Sequence, residues 1–307
     1  MSPGPSEQVL AAPHAAPGRA GSDVARHRTG LLLVAAASIT WSTGGLIARF
    51  IEAGPWTIVF WRGVACASFL LLFLAVRERG KVWPLFRAAG LPGIVAALCF
   101  ATASTAFILA LQVATVASIL IVQNTGPFIA ALLAWVLMRE HVQIRTWIAL
   151  VVAAAGITVM VSNQAIGGGL VGLGLSLTTA FAFAATTVTI RYHRAVRMTP
   201  AACLASCFGA LIALPLAEPF GVSTKDFGLM WLFGVGQLGI GMVLFTTGAR
   251  MVPAAEASLI TVLETVFAGI WVWLALGENP GMATIAGGAL VLAAVVGHTL
   301  ADLRRKR

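Results

Sequence analysis

Charge is what this 307-residue sequence has least of. Only 10% of its residues are Asp, Glu, Lys or Arg, against roughly 25% in soluble domains. With 59% hydrophobic residues and a mean hydropathy of +0.93, a water-soluble fold would lack polar surface to cover its apolar side chains. Lipid must therefore solvate most of the chain. Cysteine is also scarce. Cys66, Cys99, Cys203 and Cys207 all lie in apolar stretches with no C-x-x-C, which excludes a disulfide framework. Cys203 and Cys207 share a helix face at i, i+4, but no His or acid is near, so they read as small packing groups rather than metal ligands. There is no G-x-S-x-G, no H-E-x-x-H and no P-loop, and His14, His27, His141, His193 and His298 sit near ends or loops. Those absences argue against an enzyme and against ATP as the energy source. No cofactor and no metal is expected. The net charge of +9 does not indicate nucleic acid, because no run interleaves basic with aromatic residues. The basic end Arg304-Arg305-Lys306-Arg307 reads as contact with anionic lipid headgroups.

What the sequence does have is long apolar runs. A helix needs about 20 apolar residues to cross a hydrocarbon core roughly 30 Å thick. Ten stretches approach that length: 30–50, 56–76, 91–111, 114–137, 144–162, 169–190, 200–217, 226–247, 253–276 and 280–300. Residues 1–29, rich in Pro, Ala, Gly and Ser, read as a disordered cytoplasmic tail, and 301–307 as a basic cytoplasmic tail. The apolar run after Arg26-His27-Arg28 continues to Phe50, too long for a cleaved leader, and reads as the first span. With the N-terminus inside, 17 Lys and Arg fall on the cytoplasmic side against two outside, with Arg62 embedded. That bias predicts an integral inner-membrane protein with both termini cytoplasmic.

The chain also repeats itself. At an offset of 138, Ala130 meets Ala268, Trp135 meets Trp273, Glu140 meets Glu278 and Thr146 meets Thr284. At 142, Trp41 to Arg49 resembles Phe183 to Arg191. Each half, 30–162 and 163–300, holds five helices, an odd number, so matching loops must face opposite sides of the membrane. Basic residues crowd Glu140 but not Glu278, as that inversion requires. The expected fold is an all-α membrane protein of ten transmembrane helices in two inverted five-helix repeats, an arrangement common in secondary transporters.

With those residues in view, the sequence resembles the EamA-type branch of the drug/metabolite transporter superfamily over 30–300. The matching positions are Trp41-Ser42, Arg62, Gly126-Pro127, Glu140, Arg191, Ala257-Ser258, Leu263-Glu264 and Glu278. One departure is Thr265, where the family usually has Pro after Leu-Glu. The resemblance implies movement of amino acids, related metabolites or amphipathic drugs.

An embedded Arg costs roughly 2.5–3.5 kcal/mol on insertion scales, so Arg62 should face a cavity or partner. It is a candidate contact for a substrate carboxylate, or alternatively a helix-end strut. Glu264, the deepest acid, is a proton or substrate carrier, or else bonded to a neighbouring helix or to Arg62. Neither has a charged counterpart in the other half: Arg62 aligns near Leu204 and Glu264 with Gly126. Gln123 and Asn124 precede Gly126 and Pro127, whose freed carbonyl and kink can open a polar cavity, with interhelical bonding as the alternative. Trp41, Ser42, Thr105 and Gln237 complete the candidate lining, drawn from the first, second, third, fourth, eighth and ninth spans. Gly44, Gly45, Gly236 and Gly239 are candidate hinges. The G-x-G-x-x-G at Gly234–Gly239 lies inside an apolar helix, so it is no dinucleotide site. The expected partners are a small-molecule substrate, protons and lipid, with the chain as a monomer. The expected function is export of amino acids or related compounds by alternating access. Alternatives are a channel-like uniporter or a multidrug exporter of the same fold.

Overall fold

A computed structural model describes residues 17–114, 119, 122–123, 125–139, 142–160, 162, 169–277 and 281–305. Asn124, Glu140 and Glu278 lie outside the described residues. Among those described there is helix and no strand, as expected for a chain whose backbone polar groups must be satisfied without water. In order, the first half has α1 (Pro17–Ser42), α2 (Gly44–Ala48), α3 (Pro55–Arg77), α4 (Trp83–Val113), α5 (Gly126–Met138) and α6 (Ile144–Met160). The second has α7 (Gly169–Tyr192), α8 (Thr199–Ala213), α9 (Thr224–Leu232), a π-helical segment (Phe233–Gly239), α10 (Ile240–Gly248), α11 (Ala254–Thr261), α12 (Leu263–Leu276) and α13 (Met282–Arg305). Among the described residues, seven helical stretches are long and apolar enough to cross a membrane, and Gly126–Met138, Ile144–Val159 and Ile285–Ala301 are shorter apolar helices.

The inverted repeat is visible as matched packing. α4 against α7 is repeated by α1 against α10, and α5 against α7 by α1 against α12. α3 packs on α8 and α6 on α13, each pair joining the two halves. Close glycine contacts recur at the sequence offsets. Midway along α1, a Cβ on Gly30 would stand 2.9 Å from Val252 Cγ1; near the start of α7, one on Gly172 would stand 2.8 Å from Ala114 Cβ. Gly30 and Gly172 differ by 142, Ala114 and Val252 by 138.

Helix ends obey the repeat too. The amide of Arg139 donates to Trp135 O at 3.0 Å, and that of Gly277 to Trp273 O at 3.0 Å. Both capping residues are left-handed, Arg139 at φ 51° and Gly277 at φ 68°. Glycine takes that region without penalty and arginine does not.

Two expectations need correction. Residues 17–29 belong to α1 rather than to a disordered tail: Pro17 suits a first helical turn, and His27 and Gly30 are packed against the chain's second half. Residues 301–305 likewise extend α13. The expected fourth span, 114–137, falls partly outside the described residues; Ile119, Val122 and Gln123 are helical, and after Thr125 α5 starts at Gly126 with Pro127 in its first turn.

The paired caps yield a test. Gly277→Ala should lower stability by about 1 kcal/mol, the cost of a side chain in the left-handed region, whereas Arg139→Gly should not lower it. Thermal unfolding of the purified variants in detergent reads both; equal losses would contradict the matched-cap account.

Candidate functional site

Lipid-exposed backbone must stay helical, so breaks in a membrane helix belong where protein surrounds them. Among the described residues α4 is broken at Gly90 (φ 50°, ψ −151°), and three further breaks each have a threonine hydroxyl donating to a carbonyl three residues back. Thr43 Oγ1 bonds Thr40 O at 2.8 Å between α1 and α2. Thr125 Oγ1 bonds Val122 O at 2.7 Å before α5. Thr261 Oγ1 bonds Ser258 O at 2.7 Å, with the turn at Val262 separating α11 from α12. The break before Glu264 therefore forms without the proline that Thr265 replaces. Thr125 and Val262 are equivalent within one residue of the 138 offset.

These broken helices surround a cavity of about 150 Å³. Its wall includes Trp41, Arg62, Gln123, Gly126, Pro127, Gln237 and Glu264, which brings together half of the sequence candidates. Arg62 is buried at 3% exposure. Its Nη2 donates to Ser104 O at 3.4 Å and to Ser104 Oγ, and its guanidinium lies 4.9 Å from the centre of the Phe233 ring. Arg62 is thus both a strut joining α3 to α4 and part of the cavity wall. Glu264, in the first turn of α12, is half-buried and forms no ion pair with Arg62 among the described residues. Gln237 Nε2 donates to Trp41 O at 2.9 Å. Its Oε1 and Ser258 Oγ, both buried, lack a hydrogen-bond partner among the described residues. Unsatisfied polar atoms in a cavity wall leave hydrogen-bonding capacity for a bound solute.

Trp41 closes one side. Its ring centre lies 6.3 Å from Phe100, 5.7 Å from Phe183 and 5.1 Å from Phe245, with Phe183 and Phe245 5.3 Å apart. Four aromatic rings from α1, α4, α7 and α10 thereby form a floor. The indole lies directly on the backbone of α10, where a Cβ on Gly241 would stand 2.1 Å from Trp41 Nε1.

Other candidates fall elsewhere. Ser42 is a strut, accepting from Trp271 Nε1 at 2.7 Å and donating to Ile39 O at 2.6 Å, and does not line the main cavity. Thr105 lines a smaller gap behind Arg62 with Ser206 and Gly209. Gly44 lies against Gln237 and Phe233, and Gly239 against Phe69. Gly236 meets only Leu232 of its own helix, and Gly45 meets nothing within 4 Å. The π-helical segment Phe233–Gly239 turns Gln237 toward α1; π turns inserted in helices recur at functional sites.

Sequence reasoning missed the contribution of α7, whose Thr179, Ala180 and Phe183 line the cavity, and also Ser104, Phe107 and Thr261. α7 is the repeat partner of the first span, so pairing Phe183 with Trp41 carried a signal that both helices reach the centre. Glu256, not among the sequence candidates, is also buried, at 5% exposure.

Comparison with known proteins agrees with this architecture. The model of the EamA-like transporter family matches residues 28–162 and again 170–300. The chain belongs to that family and is an integral, multi-pass membrane transporter. Similar proteins include the pseudopaline exporter CntI of Pseudomonas aeruginosa, 25% identical over 88% of this chain and 95% of that one. An uncharacterized transporter of Archaeoglobus fulgidus is 28% identical over 59% of this chain and 71% of its own length. A solved crystal structure shares the fold with a TM-score of 0.75 at 17% identity, covering 90% of this chain and 98% of that one.

The floor gives a second test. Gly241→Ala should displace the indole and cost about 1–3 kcal/mol by overpacking. Trp41→Phe, with a smaller ring, should relieve that cost, giving a coupling of at least about 1 kcal/mol in a double-mutant cycle of thermal stability. Additive losses would contradict the contact.

Proposed function

We propose that this protein exports amino acids or related small metabolites carrying both charges, by alternating access around the central cavity. One observation carries the reading: Arg62 and Glu264, a base and an acid, line the same cavity with no ion pair between them among the described residues. The Arg62 guanidinium would hold a carboxylate, and Glu264 an ammonium group or a proton. Gln123, Gln237, Ser258 and Thr261 would supply neutral hydrogen bonds, and Trp41, Phe100 and Phe183 an apolar wall. The exporter among its relatives supports the outward direction. In this reading the termini are cytoplasmic, the membrane is the inner one and the unit is a monomer. The basic loops then rest on anionic headgroups, as the sidedness of Lys and Arg supports.

Saturable counterflow of labelled amino acids in proteoliposomes, with and without a proton gradient, tests the reading. Flux that neither saturates nor responds to a gradient indicates a channel and contradicts it. Glu264→Gln should abolish the response to pH and slow net transport about tenfold or more, equivalent to roughly 1.4 kcal/mol. An unchanged rate and pH profile would remove Glu264 from the mechanism. Arg62→Lys, which keeps charge but loses the fork that grips Ser104, should raise the concentration for half-maximal transport at least tenfold. Unchanged transport would leave Arg62 a structural strut.

A further inference from the structure

Beneath the aromatic floor, toward the end of the bundle where α1 begins, lies an acid–base contact with no part in the cavity. His27 Nε2 stands 3.3 Å from Glu256 Oε2, with the side chains 8% and 7% exposed. His27 precedes Trp41 by fourteen residues, about 21 Å of helix. Glu256 lies in the first turn of α11, where the helix dipole favours a carboxylate. The contact therefore ties α1, about three turns from its first residue, to the beginning of the broken α11–α12 pair.

The surrounding packing makes this a closed end. One turn on from His27, Gly30 is pressed on the α10–α11 connection: a Cβ there would stand 2.6 Å from Met251 Cβ and 3.1 Å from Gly248 O. Against the floor's Phe100 and Phe245 is a gap of only about 10 Å³, lined also by Thr186, Met198 and Met242. The other charged groups described there include Arg250, Arg191 and Arg197, the last paired with Glu78. Arg250 Nε donates to Arg194 O at 2.8 Å, and Arg191 Nη1 donates to Arg250 O at 3.4 Å. Burial, then repulsion from Arg26 and Arg197, holds the Arg250 guanidinium below its ordinary range.

The inverted repeat supplies a control within the molecule. At the opposite end the glycine contact is kept, Gly172 on Ala114 standing for Gly30 on Val252. The acid–base contact is not kept, because His27 falls on Gly169 at the offset of 142, and glycine has no side chain to pair. Close packing is thus common to both ends, whereas the buried His–Glu contact occurs at one among the described residues; the ion pair at the other end, Lys225 with Glu52, is exposed. A buried acid–base pair is specific in geometry and is strongly disfavoured when one partner alone remains, which suits a contact that is either made or fully parted.

We propose that the His27–Glu256 pair is a latch that keeps the cavity shut toward the face bearing the N-terminus, and that its parting is required to open that face. This rests on the alternating-access reading. The test uses the full chain with Cys66, Cys99, Cys203 and Cys207 replaced by Ala, Thr186→Cys as the reporter, and lipid nanodiscs that leave both faces reachable. The readout is the labelling rate by a membrane-impermeant maleimide. His27→Ala and Glu256→Gln should each speed labelling about tenfold, and the exchanged variant H27E/E256H should label within about twofold of its parent. Parent-like rates in both single variants, or fast labelling of the exchanged variant, would overturn the latch. Should the single variants fail to fold, the exchanged variant decides: parent-like folding and labelling uphold the latch, and misfolding or fast labelling overturns it. Counterflow by the same preparations separates the two ideas. A parent that folds and labels as expected but moves no solute contradicts the transport reading and leaves the latch standing.

Discussion

The absence of water in the bilayer core is the constraint on which the rest depends. Every backbone group facing lipid must bond within its own helix, so irregular backbone is confined to the protein's interior. This chain breaks its helices at Thr43, Thr125 and Val262, and threonine hydroxyls bond the carbonyls nearby. The breaks at Thr125 and Val262 are next to residues that line the cavity, Gly126 and Pro127 on one side, Thr261 and Glu264 on the other. The place where the helices are irregular is also the place where polar side chains can face one another.

Much of this architecture was legible as pattern. Hydrophobic length marked the helices, and the pairing of Trp135 with Trp273 at a constant offset marked the duplication. The left-handed caps at Arg139 and Gly277 then fall on equivalent positions. Arg62, Glu264, Gln123 and Gln237 were singled out because polar groups in apolar runs are costly, and all four reach the cavity wall. What pattern did not carry was direction. Ser42 follows Trp41 directly, yet it turns to Trp271 while Trp41 forms the floor. The lining from α7 was missed because Thr179 and Phe183 differ little in composition from their lipid-facing neighbours such as Phe181, which is 55% exposed. The π-helical segment is set by glycine packing against α3, a tertiary effect no local rule reports. His27 and Glu256 lie far apart in sequence and meet only through the packing of α1 on α11.

The two halves share a scaffold and differ in where they carry charge. Glycine contacts, helix breaks and caps recur at both ends. Arg62 and Glu264 do not recur, and neither does the acid–base contact beneath the floor. In the alternating-access reading proposed above, the duplicated scaffold would supply two related arrangements of similar packing energy, and the asymmetric placement of Arg62 and Glu264 would make them unequal. A small solute with its own charges can bias such an equilibrium only through contacts that differ between the two states. The cavity's asymmetric charges and aromatic floor provide contacts of that kind.

The central claim is that one cavity is exposed at one end at a time. Pulsed electron-spin distance measurements test it most directly, with one spin-label pair across the end where α1 begins and a second across the end where α7 begins. The account predicts two populations in which one distance lengthens as the other shortens, shifting together when solute is added. Distances that lengthen at both ends together, or that never change, would contradict it.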